Sequence, residues 1–208
     1  LSRGRCGAAT GGRGTGRNAR RLVALGRGVR GMEIVLPAAG PQMRKLARYL
    51  ASSDMPAYVR MGRGEGPVVY ENDVPMQPGR ANQLREGQDV SIIAAGEMVS
   101  HALVAAELLK SRGMEAAVYD MFTLRPLDEE AILRAAAATL VVTLEEHCVH
   151  GGLGGAVAEV LAQKKPTPMR NLGLPDEVLF NGASADVFAH YGLTGQGVAQ
   201  TIEATLKA

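Results

Sequence analysis

Thr139-Leu-Val-Val-Thr-Leu-Glu-Glu-His-Cys-Val-His-Gly-Gly-Leu-Gly-Gly-Ala-Val-Ala-Glu-Val-Leu161 decides the fold of this chain. The β-branched apolar run Leu140 to Leu144 reads as a buried strand, stopping at Glu145, Glu146 and His147. Gly151, Gly152, Gly154 and Gly155 then form a turn, and Val157, Val160 and Leu161 recur at helical spacing. Strand, polar edge, glycine turn and helix make half of a βαβ unit, and ligands or partners meet such sheets at the carboxyl ends of their strands.

A dinucleotide loop is the first reading to test. Its fingerprint needs a small residue three positions after the second glycine, where helix and strand pack closely. Counted from Gly152 and Gly154, that position is Val157, and no acid ends a following strand at the required distance. The spacing excludes a nucleotide. The remaining reading is that the glycines let a helix pack tightly on the sheet or on a second subunit.

The same alternation extends in both directions. Glu33–Leu36 and Ala57–Met61 read as strands, with a helix between them carrying Met43, Leu46, Ala47 and Leu50 on one face. Val90–Ala95 and Glu115–Met121 are further strands, separated by a helix over Met98–Ser111 that closes at Gly113. Asp128 caps a helix containing Ile132, Leu133 and Ala136. Met169–Leu172 is a short strand and Ser184–Tyr191 a short helix. Thr194 caps a final helix with Val198, Ile202 and Leu206 on its buried side. Alternating strands and helices predict a three-layer α/β fold, with a mainly parallel sheet and helices on both faces.

Composition narrows the function. The net charge of +2 is segregated: residues 1–30 hold eight arginines and no acid, while the remainder holds 15 Lys and Arg against 21 Asp and Glu. The Arg/Gly-rich tail has no periodicity and reads as disordered, or as a frameshifted or mis-assigned start. It has no aromatic residue to stack on bases, so nucleic-acid binding is not expected. No run of eighteen apolar residues predicts a membrane span. Cys6 and Cys148 give no disulfide framework, which fits a reducing, cytoplasmic setting with Cys148 as a buried free thiol. His147, Cys148 and His150 are too crowded for a convincing metal site.

Six stretches now occur in one order: Pro56–Gly64, Asp89–Gly96, Asp120–Asp128, Val142–His147 with Gly151–Gly154, Gly173–Asp176, and Tyr191–Thr194. Together they resemble the C-terminal portion of the transketolase family, the thiamine diphosphate-dependent enzymes. Glu-Glu-His followed by Gly-Gly-Leu-Gly is most similar to the C-terminal subunit of split transketolases. Deoxyxylulose-phosphate synthases, which share the Arg-x-x-Arg-Gly and Gly-Leu-Pro-Asp patterns, are the alternative. A non-catalytic dimerisation or regulatory module of the same fold is a second one.

The resemblance implies an organisation: a tail (1–30), the truncated end of a pyrimidine-binding domain (31–75), a linker (76–88) and a complete transketolase C-terminal domain (89–208). It implies two-carbon ketol transfer between sugar phosphates in carbohydrate metabolism. Thiamine diphosphate and magnesium would be bound by missing domains or a partner chain, because neither the Gly-Asp-Gly metal motif nor the activating glutamate is matched here. An N-terminal transketolase subunit is the implied partner, in a homodimer or heterotetramer, with the isolated chain inactive. By position Arg63 matches the arginine that contacts the substrate phosphate, and Arg60 its neighbour in the synthases; a guanidinium fork suits a phosphate. Ala39 stands where the family usually has Asp. Glu145, Glu146, His147 and Asp120 are assigned structural or interface roles, since this domain does not supply the family's catalytic groups.

Overall fold

Along β5 (Val90–Ala94), alternate residues face opposite ways, and both faces are covered. Val90, Ile92 and Ala94 join one apolar cluster, and Ile93 with the following Ala95 joins another. That double burial is why the strand reads as a continuous apolar run rather than an alternating one. The computed structural model describes residues 2–5, 20–38, 40–62, 68–70, 75–180 and 182–207.

Among the described residues, nine strands form two sheets. The first has the order β1-β3-β2-β7, from β1 (Ser2–Arg5), β2 (Glu33–Val35), β3 (Ala57–Met61) and β7 (Thr123–Arg125). The second has the order β4-β6-β5-β8-β9, adding β4 (Asn82–Arg85), β6 (Ala116–Asp120), β8 (Leu140–Cys148) and β9 (Met169–Leu174). Neighbours are parallel except at two places, β2 with β7 and β4 with β6. The fold is the α/β architecture that the alternation predicted.

Helices cover both faces of the second sheet. On one side lie α3 (Met98–Lys110), α6 (Ser184–His190) and α7 (Gly195–Lys207), through Val99, Ala102, Leu109, Val187, Val198 and Ile202. On the other lie α4 (Glu129–Ala135) and α5 (Leu153–Lys164), through Ile132, Leu153 and Val157. The first sheet packs through Val35 and Val59 onto Leu46 of α2 (Gly40–Ser52). Asp128 accepts from Ala131 N at 2.9 Å and Thr194 Oγ1 from Gly197 N at 3.2 Å, so both predicted caps are present.

One expectation changes. β8 does not end at Leu144: all nine residues through Cys148 are buried, because the charges beyond Leu144 find partners inside the protein. The segment read as a linker with room for short strands contains one, β4, an antiparallel edge strand. Of residues 1–30, the described ones include β1 and α1 (Leu22–Gly28). In α1, Val23 is fully buried and Gly26 lies against Ile34. Arg27 Nη1 donates to Gly151 O at 3.0 Å, and Arg125 donates to Arg27 O at 2.8 Å. Residues 6–19, which hold five of the tail's eight glycines, and Ala39 lie outside the described residues.

Candidate functional site

The parallel strands end together, and the chemistry-bearing residues collect at their carboxyl ends. Backbone bonds from Ala95 N to Leu144 O, Met121 N to Ala94 O and Gly96 N to Leu36 O tie these ends to one another. Three polar clusters lie there.

The first holds the glycine turn. Gly152 is the N-cap of α5 and has no side chain to satisfy the helix's free amides. Glu145 supplies that function from β8: its oxygens accept from Leu153 N at 2.7 Å and Gly154 N at 3.0 Å. A carboxylate at a helix N-terminus is stabilised both by these bonds and by the helix dipole. His147 Nε2 lies 2.5 Å from Glu145 Oε2, yet neither ring nitrogen reaches a partner in hydrogen-bond geometry among the described residues. A Cβ on Gly152 would fall 2.0 Å from Glu145 Oε2, and one on Gly154 would fall 2.7 Å from Asn171 Cγ. The glycines therefore serve close helix–sheet packing.

The second cluster joins the sheets. Arg60 Nε of β3 donates to Glu146 Oε1 of β8 at 2.9 Å, with side-chain exposures of 1% and 2%. Burial alone would raise the Glu146 carboxyl, but the Arg60 charge and hydrogen bonds from its neighbours bring it below its ordinary value. Glu97, beside it, is pushed up to about 9 by burial and then by Glu146. Arg60, matched to a phosphate-contacting position, thus points inward to a carboxylate. Arg63 lies outside the described residues.

The third surrounds Asp120 at the end of β6. Gln42 Nε2 donates to Asp120 Oδ2 at 2.5 Å, the Tyr70 hydroxyl donates to the same oxygen, and Asn82 donates to Tyr70 Oη at 3.0 Å. Gln42 Oε1 also accepts from Ala38 N at 2.6 Å. Burial raises Asp120 to about 7 against the opposing pull of the Tyr70 and Gln42 bonds.

Sequence reasoning found Glu145, Glu146, His147 and Asp120 but missed Glu97, Gln42 and Tyr70. Gln42 had a signal: it sits four residues before Leu46, on the buried stripe of α2. Cys148 is a buried free thiol on a cleft of about 380 Å³ that it shares with Arg20, Arg21 and Asp176.

The buried carboxylates are already engaged, Glu145 by helix amides, Glu146 by Arg60 and Asp120 by Tyr70 and Gln42. These donor sets do not fit a divalent cation carrying a diphosphate. Among the described residues no group of His, Cys, Asp and Glu could hold a metal ion, and no helix is long and apolar enough to cross a membrane. The arrangement ties the two sheets together through buried carboxylates that already have partners.

Comparison with known proteins agrees with this architecture. Residues 79–198 match the model of the transketolase C-terminal domain. The chain is 47% identical over 173 residues to one of the subunits of an apulose-4-phosphate transketolase from Phocaeicola vulgatus, covering 82% of this chain and 55% of that one. It is 36% identical over 180 residues to a 1-deoxy-D-xylulose-5-phosphate synthase from Chlorobium luteolum, covering 84% of this chain and 28% of the other. A solved structure described as a split gene transketolase, inactive beta4 tetramer, superposes with a TM-score of 0.85 at 38% identity, over 90% of this chain and 62% of that one. The chain spans about half the length of the apulose-4-phosphate transketolase subunit, and less of the synthase. On the family match and on its fold, this chain belongs to the transketolase C-terminal domain family.

Proposed function

We propose that the chain works as the C-terminal part of a thiamine diphosphate-dependent transketolase-type enzyme, transferring a two-carbon ketol unit between sugar phosphates. The match to an apulose-4-phosphate transketolase subunit at 47% identity carries this reading. In it, an N-terminal subunit or further domains bind thiamine diphosphate and magnesium, which supply the carbon–carbon bond chemistry. This chain supplies a scaffold and part of the sugar-phosphate site. The two chains assemble as a dimer or heterotetramer in the cytoplasm. Residues 31–75 are the end of a pyrimidine-binding domain, 76–88 join it to the next unit, and 89–208 form the C-terminal domain.

Arg63 recognises the substrate phosphate in this reading, and Arg60, anchored on Glu146, holds the strand end three residues before it. The synthase relative, at 36% identity, supports that activity as the alternative reading.

Calorimetry tests the division of labour. The chain alone should show no binding of thiamine diphosphate with magnesium. Mixed with a chain carrying the missing motifs, it should restore binding and turnover of ketose phosphates. Tight cofactor binding by the chain alone would overturn the reading.

A further inference from the structure

The four glycines at the start of α5 face two ways. Gly152 and Gly154 look inward, toward Glu145 and Asn171. Gly151 and Gly155 look outward, toward α1: a Cβ on Gly151 would fall 2.8 Å from Ala24 Cβ, and one on Gly155 would fall 3.3 Å from Arg27 Nη1. Close packing of α5 on the sheet accounts for the inward pair. Gly151 has a φ of 74°, which favours glycine by itself. Gly155, inside α5, has neither reason, and what it meets is α1.

The chemistry of α1 matches this outward face. Ala24 and Arg27 are three residues apart and share one side of the helix. The small side chain sits over Gly151, while Arg27 donates to Gly151 O at 3.0 Å and Gly152 O at 3.4 Å and pairs with Glu159 of α5 at 2.6 Å. The grip is reciprocal. Arg125 Nη1 of β7 donates to Arg27 O at 2.8 Å and Val29 O at 3.0 Å, taking carbonyls at the end of the helix. Just ahead of α1, Cys148 N donates to Arg20 O at 3.3 Å. α1 also packs on the first sheet, where a Cβ on Gly26 would fall 3.3 Å from Ile34 Cδ1.

Apolar anchoring is slight by comparison. Val23 is fully buried, but Leu25 is 65% exposed. Seven residues are too few to hold a helix in water unaided, and no side chain caps the first turn. α1 therefore depends on its seat, and few buried contacts oppose its release. The helix also comes from outside the domain that carries the seat, since the family match begins at residue 79.

We propose that the outward face of the glycine turn is a docking surface for a short helix bearing Ala and Arg three residues apart. Its occupant is α1 of the same chain, which fastens the first sheet to the C-terminal domain and lifts off as a unit. When seated, α1 holds Arg20 and Arg21 as one wall of the cleft that Cys148 lines, with Asp176 paired to Arg21 across it. Lifting α1 removes that wall and uncovers the thiol. Cys148 is thus the reporter of the seat.

The test follows labelling of Cys148 by iodoacetamide in the full chain, with Cys6→Ser leaving Cys148 as the sole thiol. Arg27→Ala removes the donor, and Ala24→Leu is too large for the gap over Gly151. Each should raise the labelling rate by about tenfold, while Leu25→Ser, on the solvent side, should stay within about twofold of the parent. In low urea the parent's rate should climb with a far shallower slope than global unfolding, because only a small surface opens. That measurement needs no variant and decides even where a substitution prevents folding. A parent rate that follows global unfolding with its full slope, or one unchanged in both Arg27→Ala and Ala24→Leu, would overturn the proposal. A rate that falls as chain concentration rises would overturn the same-chain occupant and put α1 of a second copy in the seat.

Discussion

Arg60 and Glu146 form a buried tie between the sheets: one side chain leaves β3 of the first, the other leaves β8 of the second, and they meet at 2.9 Å. Removing one member of such a pair leaves the other charged without a counter-ion, at a cost of about 3 kcal/mol or more. Arg60→Met should therefore be strongly destabilising in urea unfolding, since it strands Glu146 beside Glu97. Glu146→Gln should cost less, because Glu97 can then ionise against Arg60. The double variant Arg60→Met with Glu146→Leu should recover much of the loss. A double variant no more stable than Arg60→Met would show that packing, not charge, dominates at this position.

Gly152 has no room for a methyl group. A Cβ there would meet Glu145 Oε2 at 2.0 Å and His147 Nε2 at 2.6 Å, and Glu145 cannot retreat without losing its bonds to Leu153 N and Gly154 N. Gly152→Ala should cost about 2 kcal/mol or more, combining overpacking with the loss of a helix cap. Gly28→Ala is the control: it lies in α1 with nothing within 4 Å of its Cβ position, so it should be neutral or stabilise by about 0.5 kcal/mol. Thermal unfolding of the two variants measures the difference.

Asp120 makes stability depend on pH. Its pKa rises on folding from 3.8 to about 7. The folded state therefore holds a proton that the unfolded state has released across that interval. The contribution is fully present below the unfolded value and declines as pH rises, until it is lost above about 7. Asp120→Asn keeps an oxygen to accept from Tyr70 and Gln42 and has no proton to lose. The stability of Asp120→Asn relative to the parent should thus climb between about pH 4 and pH 7, by a few kcal/mol at most. A flat difference across that range would mean that Asp120 is not the titrating group.

The sequence made some of this legible because the governing rules are local. Asp128 and Thr194 could be placed as caps from their own neighbours, and β5 from its apolar run. β7 was not legible: three residues, Thr123–Arg125, carry no periodic signal, and their partner β2 lies far back in the chain. The end of β8 was misjudged for the same reason. Glu145 and Glu146 look like a solvated edge until the helix amides and an arginine 86 residues away are brought to them. Arg60 could be recognised as an arginine at a strand end, but which anion it meets is a property of the assembled fold. Glu97 gave no signal at all, since an acid at a helix start ordinarily needs no other explanation.

β7 follows the second sheet's β6 in sequence but completes the first sheet, beside β2. The two layers are consequently laced together by the backbone itself. Cutting the chain between 62 and 75 would not yield two independent folding units, because the downstream fragment would carry away an edge strand of the upstream one. The nicked halves should stay associated and co-purify, and the downstream half expressed alone should expose Leu124 and Phe122 to water.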